Sequence, residues 1–257
     1  MKKIQGSEAI LKSLIGENIE MIFGYPGGAI MPIYDSLYNY TDKITHILTR
    51  HEQGAIHAAQ GYSRVTGKVG VCFATSGPGA TNLITGLADA QIDSTPLVCI
   101  TGQVPSQLLG TDAFQESDII GISMPVTKWN YQITNAKEIA EVMSKAFYIA
   151  VSGRPGPVLI DITKDAQFSE TEFKYKKCEK IRSYHPYPII RKTKIKEAAK
   201  IINNSKKPLI LVGQGVLISN AEDELRQLSE KTGIPVASTL LGLSAISCHH
   251  KNYVGYL

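Results

Sequence analysis

Val69-Gly70-Val71-Cys72-Phe73-Ala74-Thr75-Ser76-Gly77-Pro78-Gly79 is a near-continuous apolar run closed by a glycine-proline turn. A run of this kind reads as a strand buried on both faces, and the turn hands over to a helix predicted from Gly79 to Gln91. The same unit recurs to either side. Ser7 reads as the N-cap of a helix reaching Ile15, Met21-Ile22-Phe23 as a short strand ending in Gly24-Tyr25-Pro26-Gly27-Gly28, and Ala29 to Tyr38 as a helix. Ile44 to Leu48 and Pro96 to Thr101 are further strands, and Glu52 to Thr66 is a helix. Beyond an irregular stretch from Gly110 to Pro125, Ala136 to Val151 is predicted helical and Pro157 to Ile162 a strand. Strands of this composition joined by helices imply an α/β fold: a parallel sheet with helices on both faces.

This first domain is expected to span residues 1–168. Residues 169–190 read as a linker, because Lys174 to Lys207 carries 12 Lys/Arg against only Glu179 and Glu197 and surrounds Tyr184-His185-Pro186-Tyr187-Pro188. With a net charge of only +4 overall, the rest of the chain is acidic, which argues against nucleic-acid binding. Residues 191–257 begin a second α/β domain, with helices Thr193 to Asn203 and Ala221 to Thr232 and strands Pro208 to Val212 and Pro235 to Ser238. Two strands leave its sheet incomplete, so the chain is expected to be a fragment of a longer protein.

At 257 residues, with 43% hydrophobic residues and 22 glycines, the chain can bury a sizeable core and is neither disordered nor collagen-like. Its apolar runs are far too short for a membrane span, and no apolar leader follows the N-terminal lysines. Cys72, Cys99, Cys178 and Cys248 are widely spaced without C-x-x-C, which fits reduced thiols in a cytoplasmic protein.

The chemistry signal lies in loops that follow strands, where open α/β sheets bind ligands. Neither Gly24 to Gly28 nor Thr75 to Gly79 has Walker A or G-x-G-x-x-G spacing, so a nucleoside-triphosphatase reading loses support. A tight turn with no ligand would account for either loop alone. Glu52 opens its helix, where the macrodipole favours a carboxylate. Behind it Gly54, Ala58 and Gly61 form a stripe with almost no side chain; Gly79, Leu83, Gly86 and Ala90 repeat the device. Together they suggest a close-packing surface between subunits. His51 and His57 lie six apart, which is not the spacing of a metal pair.

The runs Phe23 to Ala29, Arg50 to Tyr62, Ala74 to Asn82, Thr101 to Pro105, Gly110 to Glu116 and Gly153 to Asp161 resemble, in order, those of acetolactate synthase (acetohydroxyacid synthase) catalytic subunits. The likeness spans that family's pyrimidine-binding domain and the first part of its central domain. It implies a thiamine-diphosphate-dependent transferase of the biosynthetic type. Such an enzyme decarboxylates pyruvate and ligates the product to pyruvate or 2-oxobutanoate, the first common step of branched-chain amino-acid biosynthesis. It also implies a homodimer or larger assembly with active sites between subunits, a possible regulatory small subunit, and Mg²⁺ ligands in a domain absent here. No metal ligand is expected within this chain, and the chain alone is expected to be inactive.

By the same resemblance Glu52 is the catalytic carboxylate at the cofactor's pyrimidine. Tyr25, Pro26, Pro78, Asn82 and Gln115 are further thiamine diphosphate contacts. Gly28, Ala29, Pro105, Ala113, Phe114 and Lys164 line the substrate channel. Arg154, Gly213, Gly215, Thr239 and Leu240 hold a structural FAD, whose phosphates suit glycines at a strand end and an arginine fork. Two other readings remain: a catabolic synthase or another thiamine-diphosphate decarboxylase or ligase, and a noncatalytic α/β assembly module that would not need Glu52.

Overall fold

The computed structural model describes residues 3–257, which form two compact units divided between Pro188 and Ile189. In the first, β1 (Lys3–Gln5) leads into α1 (Gly6–Gly16), and β2 (Met21–Gly24) into α2 (Met31–Leu37). Next come β3 (Thr45–Leu48), α3 (Glu52–Thr66), β4 (Gly70–Ala74), α4 (Pro78–Thr81), α5 (Ile84–Ile92) and β5 (Leu97–Gln103). The unit closes with α6 (Ile119–Ser123), β6 (Trp129–Ile133), α7 (Ile139–Val151), β7 (Pro157–Thr163), α8 (Lys164–Phe168) and β8 (Glu170–Glu172). Six strands form an all-parallel sheet in the order β3-β2-β4-β5-β7-β6.

Alternation along the buried strands divides the core in two. Val71 and Phe73 of β4, with Val98 and Ile100 of β5, join residues of α1, α2 and α7 on one face. Cys72 and Ala74, with Leu97 and Cys99, pack on the other with Ala55, Ile56 and Ala59 of α3 and Leu87 and Ala90 of α5. The near-continuous apolar runs therefore serve two helix layers at once.

Several local expectations are revised. Ser7 does not cap α1: the N-cap is Gln5, and the buried Ser7 hydroxyl accepts from Ser36 Oγ at 2.8 Å. The helix expected from Gly79 to Gln91 breaks between Thr81 and Ile84. The edge strand β6 falls in a segment assigned no structure from sequence. Of residues 169–190, read as a linker, those up to Pro188 belong to this unit. β8 pairs antiparallel with β1, Tyr175 Oη donates to Glu17 at 2.5 Å, and Phe173, Ile181 and Tyr184 rest on the core. The aromatic residues between the lysines supply the apolar surface that a solvated linker would lack.

The second unit holds α9 (Lys192–Asn204), β9 (Ile210–Val212), α10 (Gln214–Ile218), α11 (Glu222–Thr232), β10 (Val236–Ser238) and β11 (Tyr253–Tyr256). Its parallel sheet, β11-β10-β9, has a third strand beyond the two read from sequence. Val212, Leu225, Val236, Ala245 and Ile246 form its small core.

Candidate functional site

In the first unit every strand of the main sheet delivers its C-terminal end to one edge. The chain passes from β2 outward to β3 and returns to place β4 on the other side of β2, so the direction of winding reverses between β2 and β4. The loops diverge at such a point and leave a crevice, the usual binding place in open α/β sheets. Residues 24–30 and 75–79 lie there, and the two loops are fastened together: Ala29 N donates to Thr75 Oγ1 at 3.1 Å. From the far side Gln167 Nε2 donates to Ala29 O at 2.8 Å. Neither Thr75 nor Gln167 stood out in the sequence, because each acts through a backbone group distant along the chain.

Glu52 is the first residue of α3, and its position is set by the residue before it. His51 adopts extended backbone as N-cap, and its Nδ1 accepts from Gln53 N at 3.1 Å, so the helix starts at the carboxylate. Only 7% of Glu52 is exposed, and the N-terminal peptide groups of α3 favour a negative charge there. Asn82 Nδ2 donates to Oε2 at 2.9 Å. Among the described residues no donor reaches Oε1, which lies over Gly79: a Cβ at that glycine would sit 3.1 Å from Oε1 and 2.7 Å from Thr75 Cγ2. The arrangement is a buried carboxylate with one oxygen anchored and the other free to accept a ring N–H, beside a floor cleared of side chain. That donor set suits the protonated edge of an aminopyrimidine.

Around it the structure gathers most of the residues expected at the cofactor. Tyr25 and Pro26 are exposed on the β2 loop, and Pro78 is exposed at the start of α4. Gln115 reaches the same place from the β5 side, where its backbone covers Gly77. Of the expected channel residues, Gly28 and Ala29 follow β2, Pro105, Ala113 and Phe114 follow β5, and Lys164 follows β7, all at the same sheet edge. Phe114 is 86% exposed, so it is not a core residue.

A polar cluster lies beneath the loop that carries Gln115. Asp161 of β7 is fully buried; Thr101 Oγ1 donates to its Oδ1 at 2.6 Å, and Gln132 Nε2 and Gln103 Nε2 donate to its Oδ2 at 2.8 and 3.2 Å. Burial pushes the carboxyl up to about 6, the three donors pull against it, and the nearby Asp118 adds to the rise. At the start of α8, burial raises Asp165, but the hydroxyl and amide of Ser106 and further hydrogen bonds outweigh it, so the net shift is downward.

The small-residue stripes separate. Gly86 is buried against Ile56, and Gln60 Nε2 donates to Gly86 O at 2.7 Å, so this stripe packs α5 on α3 within the chain rather than between subunits. Gly54 and Gly61 have nothing within 4 Å of a notional Cβ, and that face of α3 is open.

Of the expected flavin residues, Arg154 lies in the first unit, where its guanidinium donates to Ser94 Oγ at 2.7 Å and to the carbonyls of Ile92 and Gln91 at 2.7 and 3.2 Å. In the second unit Gly213 and Thr239 are neighbours at the ends of β9 and β10, with Thr239 N donating to Val212 O at 2.9 Å. Gly215 is open in α10 and Leu240 is 66% exposed. Among the described residues no cluster of three or more His, Cys, Asp or Glu could hold a metal, and no helix is long and apolar enough to cross a membrane.

Residues 4–122 match the N-terminal TPP binding domain of thiamine pyrophosphate enzymes, and residues 195–257 match their central domain. The chain is 51% identical to the acetolactate synthase large subunit of Corynebacterium glutamicum over 99% of this chain and 40% of the relative. It is 49% identical to that of Mycobacterium tuberculosis, over 99% of this chain and 41% of the relative. A probable acetolactate synthase large subunit of Methanocaldococcus jannaschii is 50% identical, over 98% of this chain and 43% of the relative. The chain thus spans about two fifths of the length of the curated relatives it matches.

Proposed function

Because the chain belongs to the thiamine pyrophosphate enzyme family, with acetolactate synthase large subunits as homologues, we propose that it is the N-terminal part of an acetolactate synthase of branched-chain amino-acid biosynthesis. The substrates of this reading are pyruvate and, as alternative acceptor, 2-oxobutanoate. The observation that carries it is the Glu52 carboxylate, held by Asn82 at one oxygen and open at the other in the crevice between β2 and β4.

When bound, thiamine diphosphate supplies the carbon nucleophile and the electron sink for loss of CO₂ from a 2-ketoacid. Glu52 Oε1 holds and moves a proton at the pyrimidine edge, and Asn82 keeps the carboxylate oriented while it does so. Tyr25, Pro26, Pro78 and Gln115 would contact the bound cofactor. Lys164 supplies positive charge for a substrate carboxylate, Phe114 offers the pocket an apolar wall, and Gly28, Ala29, Pro105 and Ala113 line the approach. Mg²⁺ and the diphosphate are assigned to the part of the relatives' length that this chain does not span. Arg154, Gly213, Gly215, Thr239 and Leu240 are assigned to FAD. The open face of α3 is assigned to a second subunit of a homodimer, a regulatory small subunit is a further partner, and the location is cytoplasmic.

The test uses the longer protein supplied with thiamine diphosphate, Mg²⁺ and pyruvate. Acetolactate, read as acetoin after acid treatment, should accumulate. Glu52→Gln, which cannot exchange a proton, should lower turnover by about 10²–10⁴-fold while still binding cofactor. Undiminished turnover in that variant would remove Glu52 from the chemistry.

A further inference from the structure

We propose that Asp161 is a positioning residue for the crevice: through the side-chain amide of Gln103 it latches residues 104–118, the segment that lays Gln115 on Gly77, and it loosens that segment on taking up a proton. Its consequence for catalysis rests on the cofactor reading above; the latch itself does not.

Asp161 lies opposite Thr101 of β5 and Gln132 of β6, with Gln103 two residues further along β5. On this face the sheet is apolar at Leu97, Cys99 and Leu159 and turns polar at Thr101, Gln103 and Asp161, beneath the segment that follows β5. A carboxylate buried without a cation is costly unless every lone pair is used, and here three donors converge on it.

Gln103 connects this charge to the loop. One N–H of its amide faces Asp161, Nε2 also donates to Ser117 O at 3.2 Å, and Oε1 accepts from Val104 N at 2.9 Å. A carboxylate accepts only, so it holds the amide with nitrogen inward, and that orientation satisfies Val104 at the start of the segment and Ser117 near its end. Once Asp161 is protonated, the bond to Gln103 loses its charge assistance and about half its strength; because Asp161 stays buried in the sheet when the segment loosens, protonation weakens this one fastening even though it favours the folded chain over the unfolded one.

The groups facing Asp161 are Thr101 and Gln103 from β5, Gln132 from β6 and the carboxylate of Asp118 ahead of α6, which favours protonation. The segment's other carboxylate fastenings include Asp165 to Ser106, Glu116 to Gly110 N and Asp118 to Gly121 N. The Ser106 donors hold Asp165 below its ordinary range, so it stays ionised through the interval in which Asp161 titrates.

Hydrogen exchange followed by mass spectrometry on the wild-type chain from pH 5 to 8, corrected for intrinsic rates, tests the latch. Protection of peptides within 104–118 should fall about 3- to 10-fold as the pH drops through about 6, while β4 and β7 peptides stay protected. Asp161→Asn and Gln103→Leu should each show low protection in this segment at every pH. A flat wild-type profile, which needs no variant to fold, or a persisting pH step in Asp161→Asn would overturn the proposal. In the longer protein supplied with thiamine diphosphate and Mg²⁺, a step without cofactor binding would keep the latch and sink the cofactor reading; cofactor binding with no step would do the reverse.

Discussion

The carbonyl oxygen of Gln115 lies 2.4 Å from where a Cβ on Gly77 would be, and both residues have left-handed backbones, at φ +57° and +54°. Two loops from different strands are thereby stacked without a side chain between them, and the contact brings Gln115 to the β4 loop.

Gly77→Ala follows directly. Alanine at this φ is strained, and its methyl group collides with backbone that cannot rotate away, so the 110–117 segment must lift. The expected cost is about 1–3 kcal/mol in urea unfolding, with a weaker affinity for thiamine diphosphate in the longer protein. Wild-type stability and affinity in the variant would show that the stacking is dispensable.

Asp161 gives stability an opposite pH dependence to the usual carboxylate. Its folded value is about 6 and an unfolded Asp titrates near 3.9, so the folded state binds the proton more tightly. The contribution is fully present below about pH 4 and is lost as pH rises through about 6, a difference of up to about 3 kcal/mol. Urea titrations from pH 4 to 7.5 should show wild type losing stability relative to Asp161→Asn over that interval. Parallel curves for the two proteins would refute the assignment. A charge that costs stability at neutral pH yet remains in the core fits an orienting role.

How much of this was legible in the sequence differs from residue to residue. Helix α3 was readable to both ends, because Glu52 opens an amphipathic run and Gly67 closes it at φ +70°. The buried strands were readable because apolar runs of that length have few alternatives. Strand β6 was not: it is half-buried at the sheet edge, so its side chains carry only a weak apolar pattern. Glu52 could be singled out through its helix start and its family motif. Asp161 could not, because an aspartate within Leu159-Ile160-Asp161-Ile162 says nothing of the amides that will meet it from β5 and β6.

The two glycine stripes should answer substitution in opposite ways. Gly86→Ala places a methyl 2.3 Å from Ile56 Cγ2 and should cost about 1–3 kcal/mol, part of which Ile56→Ala recovers in a double-mutant cycle. Gly54→Ala and Gly61→Ala meet nothing in the chain and should each stabilise the monomer by up to about 1 kcal/mol. In the assembled protein the same two changes should weaken subunit association, read by sedimentation velocity. Unchanged association would take the open face of α3 out of the interface.

Arg154 has two separable roles to test. Its guanidinium closes the C-terminal end of α5 on the carbonyls of Gln91 and Ile92, with Nε on Ser94, so Arg154→Ala should cost about 0.5–1.5 kcal/mol of stability whatever else the residue does. If it also anchors the flavin diphosphate, the longer protein should purify yellow, and the same change should weaken FAD binding about 10- to 150-fold, the weight of one charge-assisted contact. Ser94→Ala removes a helix-end contact alone and should lower the melting temperature slightly while leaving FAD affinity unchanged. Flavin fluorescence titration of the three apo-proteins, held well below their melting temperatures, separates the roles. An unchanged dissociation constant in Arg154→Ala confines the arginine to the helix end, and a wild type that binds no FAD moves the protein to the catabolic or another thiamine-dependent branch.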